Sequence, residues 1–239
     1  ISDLSFHMRT ACIRWQDGRV RCDDPRMPVD VSGTLAFAAT GPNACFVDAA
    51  HRLHCWTRGT RAPAPTNLVD AASVAITLDR VCTVTTRGGV ECRAWNPTLS
   101  TVASALTSSL TDVRALALGG QQTCAVRQGG QLACWDGVTP NTGEITGVTA
   151  VVYARRKMCV VQAGRVRCVR FELGVMSLEE PVPGVENVVE LASGGDFLCA
   201  RSANGEVRCW GRNLNSQLGV VPPTLRLAFT ELSDAVVEP

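Results

Sequence analysis

The sequence predicts an all-β fold, a six-bladed β-propeller of short antiparallel blades with three to four strands each. Two observations predict it. Twelve cysteines fall into six pairs along the 239 residues, five pairs ten positions apart and one pair nine apart. Around each pair the same apolar and glycine positions recur with a period of roughly 33 to 42 residues, as in propellers and other repeat folds. We expect one domain over residues 1–239, with repeats that start near residues 1, 34, 71, 113, 148 and 188.

The centre of each repeat is predicted to be a β-hairpin. In the clearest repeat, residues 185–219, two short segments carrying Cys199 and Cys209 flank a Ser-Ala-Asn-Gly turn. An Asn-Gly turn between short apolar segments is a strong hairpin signal. The position four residues before the second cysteine is Gly in five of the six repeats, as expected where a turn needs positive φ, and His51 replaces it in the second repeat. Two residues before the second cysteine, all six repeats have Val or Leu.

A further apolar segment precedes each hairpin, so every repeat offers three short strands. These segments cover residues 4–6, 35–39, 74–78, 113–118, 148–153 and 188–192. Loops rich in Pro, Gly, Thr and Asp separate the repeats, and we expect residues 100–110 to be loop as well. A single sheet of this size does not bury both of its faces, whereas sheets arranged radially pack face to face as propeller blades.

The cysteine spacing predicts one disulfide inside each hairpin. Structural zinc sites usually pair cysteines two to four residues apart, and no pair here does so. Opposed residues of antiparallel strands lie within disulfide reach, and separations of ten and nine fit odd and even hairpin loops respectively. The predicted bridges are Cys12–Cys22, Cys45–Cys55, Cys82–Cys92, Cys124–Cys134, Cys159–Cys168 and Cys199–Cys209. Such bridges imply an oxidising compartment, so we expect a secreted, periplasmic or cell-surface protein.

The end of the chain predicts how the ring closes. No seventh cysteine pair follows Cys209. Residues 232–237, LSDAVV, are similar to residues 1–6, ISDLSF, which form the first strand of a repeat. We therefore expect six blades and a closing strand within residues 228–239 that covers the open edge of the N-terminal blade.

One stretch resembles a known family. Residues 191–219, LASGGDFLCARSANGEVRCWGRNLNSQLG, are similar to a repeat of the regulator of chromosome condensation family, which builds β-propellers. The fourth repeat keeps part of the motif, and the others keep the cysteines, the turn and the aliphatic positions. The short repeats resemble those of secreted bacterial members, which include propeller-type β-lactamase inhibitory proteins. The nuclear exchange activity of the eukaryotic prototype does not carry over, because disulfides are incompatible with a reducing nucleus.

Composition and motifs narrow the function classes. A net charge of +1 gives no general attraction to nucleic acid or to anionic membranes, and no apolar run is long enough to span a membrane. The chain has no phosphate-binding loop and no nucleophile elbow, so we expect no enzyme, no cofactor and no metal. His51 and His54 are assigned to a turn and a strand. One repeat position holds tryptophan three times, which favours packing between blades over a ligand platform: Trp56, Trp135 and Trp210.

We therefore expect a monomeric protein-binding scaffold, with inhibition of an extracellular enzyme as a special case. A carbohydrate or small-ligand binder is the alternative, and an enzyme is the third class. The turn that enters each first-cysteine strand varies between repeats while the framework around it does not, which is typical of a surface released from packing. The predicted partner-binding residues are Arg9, Asn43, Arg80, Gln122, Arg156, Lys157 and Phe197. Their mainly cationic character predicts a partner with an acidic surface.

Overall fold

The structure, a computed structural model, describes most of the chain. The described residues are 3–7, 10–22, 31–40, 43–57, 64–66, 68–96, 101–107, 109–120, 122–135, 141, 143–154, 156–172, 175–213 and 218. They form six antiparallel sheets of three or four strands, one for each sequence repeat, and no helix is found among them. The predicted all-β, six-bladed propeller is confirmed. Within the described ranges, no helix has the length and apolar character needed to cross a membrane.

Each blade is an antiparallel meander in which strands follow one another in sequence order. Blade one contains β1 (Asp3–His7), β2 (Thr10–Arg14) and β3 (Val20–Cys22). Blade two contains β4 (Ala36–Thr40), β5 (Asn43–Val47), β6 (Leu53–Thr57) and β7 (Ala64–Pro65). Blade three contains β8 (Ala71–Ile76), β9 (Arg80–Thr85), β10 (Val90–Asn96) and β11 (Thr101–Thr107).

The second half of the chain repeats this order. Blade four contains β12 (Val113–Gly119), β13 (Gln122–Arg127) and β14 (Leu132–Trp135). Blade five contains β15 (Val148–Ala154), β16 (Lys157–Gln162), β17 (Arg165–Glu172) and β18 (Val175–Leu178). Blade six contains β19 (Val188–Ser193), β20 (Phe197–Ser202) and β21 (Val207–Gly211). The predicted closing strand, residues 228–239, lies outside the described residues.

The prediction of a loop over residues 100–110 is wrong, because most of this segment forms β11. The strand pairs with β10, with Cys92 opposite Leu106 and Trp95 opposite Val102, and a bulge falls between Arg93 and Ala94. Small residues with weak alternation gave no strand signal. The outward backbone groups of β10 need hydrogen-bond partners, and pairing with β11 supplies them.

All six predicted disulfides are confirmed. In every hairpin the two cysteines are directly opposed, with Cα atoms 3.9 to 4.1 Å apart, and all twelve cysteines are bridged. Five hairpins have a five-residue loop, as where Val84 lies opposite Val90. In blade five, Gln162 lies opposite Arg165, so the loop shrinks to Ala163 and Gly164, both at positive φ. The even loop predicted from the shorter spacing is what keeps this pair opposed.

One hydrogen bond recurs between neighbouring blades. The acceptor is the backbone carbonyl of the hairpin-turn residue that stands four positions before the second cysteine. The donor is the backbone N–H of the residue that stands eleven positions before the first cysteine of the next blade. It occurs five times, at 2.9 to 3.0 Å, from Thr34 to Gly18, Ala71 to His51, Val113 to Gly88, Val148 to Gly130 and Val188 to Gly164. Gly88 has a φ of +80°, and a Cβ there would lie 2.6 Å from the Thr111 oxygen. The bond goes with a turn residue at positive φ, which is glycine in four of these five turns and His51 in blade two.

The hydrophobic core lies between the blades. Leu132 of blade four shares a core cluster with Val148 and Val151 on the first strand of blade five. The tryptophans pack backwards, each against the preceding blade: Trp56 with Val20, Trp135 with Val90 and Trp210 with Val166. All three are buried, so the predicted role of these tryptophans in packing between blades is confirmed.

Candidate protein-binding face

In blades two to six, the turns that join the first strand to the second surround one mouth of the central cavity. Thr40, Leu78, Gly120, Tyr153 and Gly195 all line this cavity, and all lie in or beside those turns. The first strands of the blades therefore run in the same direction, and their turns share one face of the ring. We call it the first-turn face. The hairpin turns between the cysteines lie on the opposite face.

The central cavity has a volume of about 710 Å³ and an apolar wall. Blades two to six contribute to it, chiefly through aliphatic side chains of their first strands such as Val74, Ile76, Leu116 and Val151. Asp79 is the charged residue among the described lining residues, and it lies in the turn at the mouth. An apolar cavity with few polar groups at its entrance is a common form of binding site.

Two aromatic rings are seated on glycines beside this mouth. A Cβ at Gly119 would lie 1.8 Å from a ring carbon of Tyr153, and one at Gly194 would lie 2.0 Å from a ring carbon of Phe197. Only glycine lets these rings lie so close to the backbone, and the contact holds each ring in place. Leu78 lies in the blade-three turn and is 53% exposed. Leu78 and Tyr153 thus both line the cavity, and the mouth presents a solvent-exposed aliphatic side chain.

Several predicted binding residues contact the next blade. The position two residues before the first cysteine shares a sheet face with that buried cysteine. Asn43 is 1% exposed, and its Nδ2 donates to the Leu78 carbonyl oxygen at 3.5 Å. The Nη2 of Arg80 donates to the carbonyl oxygens of Gly120 and Gln122 at 3.1 and 3.3 Å. Burial lowers the pKa of the Arg80 guanidinium, and the Asp79 charge opposes that shift.

The remaining predicted residues differ in exposure. Arg156 is exposed at a φ of +65°, and no ion pair to it is found among the described residues. Lys157 is exposed, and its Nζ lies 2.5 Å from Glu179 Oε1. Gln122 and Phe197 are half-buried, and Arg9 lies outside the described residues.

The charges on this face are mixed. Asp79 and Asp196 hold the position, three residues before the first cysteine, that Arg156 holds in blade five. Asp196 also pairs with Arg212 at 3.2 Å. The sequence reasoning missed Leu78 and Tyr153, because their position in the cavity wall depends on how the first strands meet around the cavity.

On the opposite face, the blade-two hairpin holds a satisfied polar cluster. Asp48 Oδ1 accepts from the backbone N–H groups of Ala50 and Arg52, and Oδ2 accepts from Arg52 Nε and His54 Nε2 at 2.8 to 2.9 Å. Burial alone would raise the pKa of Asp48, but the combined hydrogen bonds hold it well below its usual range. The His54 ring stacks on Phe46, 4.9 Å between centroids. Across the described residues, no group of three or more metal-ligating side chains is found.

A second cavity of about 500 Å³ lies on that opposite face, between the segment that precedes β19 and the blade-six hairpin. Its polar groups bond to one another. Arg208 donates from Nη1 to the Gly184 carbonyl at 2.9 Å and from Nε to Glu206 at 2.6 Å, and Ser202 Oγ donates to the Glu186 carbonyl at 2.8 Å. Side chains that already bond to each other offer a small polar ligand few free partners.

Comparison with known proteins agrees with this architecture. Residues 188–217 match the family model of the regulator of chromosome condensation (RCC1) repeat. The chain contains a repeat of that family. The resemblance predicted from the sequence is confirmed in blade six. No curated protein matches the chain in sequence.

Solved structures are similar to the chain over most of its length. Human WBSCR16 has a TM-score of 0.72 at 14% identity, covering 92% of this chain and 79% of that chain. Prp20p from Saccharomyces cerevisiae, described with its binding properties to Gsp1p and histones, has a TM-score of 0.70 at 10% identity, covering 92% and 74%. YCF48 bound to D1 peptide has a TM-score of 0.59 at 12% identity, covering 87% and 76%. Identities this low show the fold alone.

Proposed function

We propose that this chain is a secreted, disulfide-bonded propeller that binds another protein through its first-turn face and has no catalytic role. The observation that carries the proposal is the apolar central cavity, whose lining includes the exposed Leu78 and the half-buried Tyr153. Exposed aliphatic side chains beside a concave apolar site often mark a contact surface.

The arrangement supports protein binding over other ligands. Interface centres are typically apolar and aromatic, and their rims are polar and charged. Here the apolar mouth lies at the centre, and Asp79, Arg156 and Asp196 lie in the turns around it. Two proteins of similar fold have protein or peptide ligands: Prp20p is described with its binding properties to Gsp1p and histones, and YCF48 is bound to D1 peptide. This supports the same class of function here.

Compartment and partner follow from the bridges and charges. Six disulfides in a domain of this size indicate an oxidising environment, which supports secretion or exposure at a cell surface. The similarity to secreted bacterial propellers makes an extracellular enzyme a reasonable target, with inhibition as the special case. An acidic partner is supported by Arg156, which is exposed on the first-turn face and has no ion pair among the described residues.

Capture followed by paired variants tests the proposal. The oxidised protein is used as bait on culture supernatant of its source, and the bound protein is purified. We expect Leu78→Ser with Arg156→Ala to weaken binding at least tenfold, or about 1.4 kcal/mol. The control changes an exposed aliphatic residue and an exposed arginine on the opposite face, Val69→Ser with Arg87→Ala, and should change affinity less than twofold. If only the control weakens binding, the first-turn face is the wrong surface. Binding to a glycan array with no captured protein would support the carbohydrate alternative instead.

A further inference from the structure

We propose that residues 229–237 of this chain pack as a strand on the open face of blade six. The open face comprises Cys199, Arg201 and Val207, whose counterparts in the other blades contact the next blade along the chain. In the part of the chain that the structure describes, no extensive packing joins blade six to blade one, which would follow it in a closed ring. The proposal concerns an interaction surface within the chain and does not depend on the first-turn face.

The six repeats provide an internal comparison of exposure. Two residues before the second cysteine, the aliphatic side chain is at most 3% exposed in five blades, at Val20, Leu53, Val90, Leu132 and Val166. In blade six the same position is Val207, which is 50% exposed. The position two residues after the first cysteine behaves in the same way. In blade six it is Arg201, which is exposed. In blades two to five it is a valine that is at most 4% exposed: Val47, Val84, Val126 and Val161. Among the described residues, nothing gives blade six the covering that these positions receive in the other blades.

The covering in the other blades comes from a fixed set of positions. In repeats three to six, apolar residues stand fourteen, eleven and eight positions before the first cysteine, and repeat two differs only in having Thr34 at the middle position. Leu68 and Ala71 share a core cluster with Leu53, with Val74 packed against it. The same holds in blades five and six, where the cluster around Val166 includes Val185, Val188 and Leu191. A strand entering in this register is what buries the preceding blade.

The C-terminal segment repeats that pattern. Residues 229–237 read FTELSDAVV, with apolar Phe229, Leu232 and Ala235 at the same three-residue spacing. The corresponding stretches are LVDAASVAI at 68–76, LTDVRALAL at 110–118 and VENVVELAS at 185–193. Leu232 follows Cys209 by 23 residues, close to the 21 residues from Cys92 to Val113. A connection of nearly this length already joins two neighbouring blades, so the segment can reach the open face of blade six.

Backbone groups on blade six fit the same occupant. The recurring inter-blade hydrogen bond joins the hairpin-turn carbonyl to the N–H eleven positions before the next first cysteine. Gly205 holds that turn position in blade six at a φ of +90°. By the same register, Leu232 N–H would donate to the Gly205 oxygen. Arg14, which holds in blade one the position of Arg201, donates to the Thr34 oxygen of the next blade at 3.4 Å, so an arginine is compatible with a covered face.

Neighbouring positions of the segment provide a matched pair of variants in the full chain. Leu232 holds the buried position of the pattern. Ser233 holds the next one, and its counterparts Leu35, Ala72, Arg114, Thr149 and Val189 are all exposed. We expect Leu232→Asp to lower the Tm of the oxidised protein by roughly 5 to 10 °C and Ser233→Asp by less than about 2 °C. Equal shifts for the two variants would overturn the proposal.

The partner site is tested from blade six. Val207→Asp should lower the Tm by a similar amount, and combining it with Leu232→Asp should add little, because both variants remove the same contact. An unchanged Tm for Val207→Asp would show that nothing covers it and would overturn the proposal. If the Leu232→Asp protein does not accumulate, hydrogen exchange of the backbone amides is measured on the unmodified chain. The proposal predicts protection across residues 229–237, and unprotected exchange there would overturn it. A mass of two chains in light scattering, lost in Leu232→Asp, would assign the contact to a second copy instead.

Discussion

The imidazole of His51 in blade two lies across the blade boundary from the backbone of Ala71 in blade three. His51 Nδ1 is 2.8 Å from the Ala71 carbonyl oxygen, and the Ala71 N–H donates to the His51 carbonyl at 2.9 Å. Because a carbonyl only accepts, the His51 ring carries its proton on Nδ1. His51 holds the turn position occupied by glycine in the other five repeats, at a φ of +60°. The ring hydrogen bond offsets the unfavourable backbone conformation.

Replacing His51 separates these two effects. His51→Gly loses the ring hydrogen bond but relieves the positive φ, so we expect a change below about 1 kcal/mol in the free energy of unfolding. His51→Ala loses the hydrogen bond and keeps the strained φ, so it should be less stable than His51→Gly by about 1 to 2 kcal/mol. Guanidinium unfolding of the oxidised proteins measures both values. An alanine variant as stable as the glycine variant would contradict this account.

Asp48 should make stability fall in acid. Partial burial opposes the shift, but the hydrogen bonds from Arg52, His54 and Ala50 place its pKa in the folded state below the usual value of 3.8. The carboxylate therefore contributes stability above about pH 4, and this contribution is lost as the pH falls through the folded-state pKa. We expect Asp48→Asn to lower the free energy of unfolding by about 1 to 3 kcal/mol at pH 7. The gap between the two proteins should narrow below pH 4, and a constant gap down to pH 2 would argue against it.

The disulfides predict a cooperative response to reduction. Each closes a loop of about ten residues, which corresponds to roughly 2.5 to 3 kcal/mol of loop entropy in the unfolded chain. We expect no alkylation of the native protein without reductant, measured by intact mass, and loss of the cooperative thermal transition after full reduction. Alkylation of two or more cysteines before reduction would contradict six complete bridges.

The repeat framework was predictable from the sequence because it rests on local rules. Cysteine spacing fixes the hairpin register, as Cys159 and Cys168 show, and the turn glycines mark positive φ. The fourth strands were harder to predict. Residues 101–107 carry no clear alternation, and the pairing partner β10 decides that they form a strand.

The binding residues were predicted less well, because the alternation of side chains along a strand was not applied to them. Successive residues of a strand alternate between faces, so the residue two before a buried cysteine shares the face that contacts the next blade. Asn43 and Arg80 therefore bond to neighbouring blades. The residue three before the cysteine points away from that contact, and Asp79, Arg156 and Asp196 are all exposed there. Variation between repeats alone did not distinguish these two positions.

Two tryptophans test whether packing between blades dominates stability. Trp135 is 7% exposed and shares a core cluster with Val84 and Val90 of the preceding blade. Trp15 lies half-buried in the blade-one hairpin turn, where the Arg19 guanidinium lies 5.8 Å from its ring centroid. We expect Trp135→Ala to lower the free energy of unfolding by about 3 to 5 kcal/mol, because it leaves a cavity between blades three and four. Trp15→Ala should lower it by less than about 1 kcal/mol, since it removes a partly solvated ring and a weak cation–π contact. Denaturant unfolding of both variants with the bridges intact gives the comparison, and equal losses would mean that burial between blades does not set the difference.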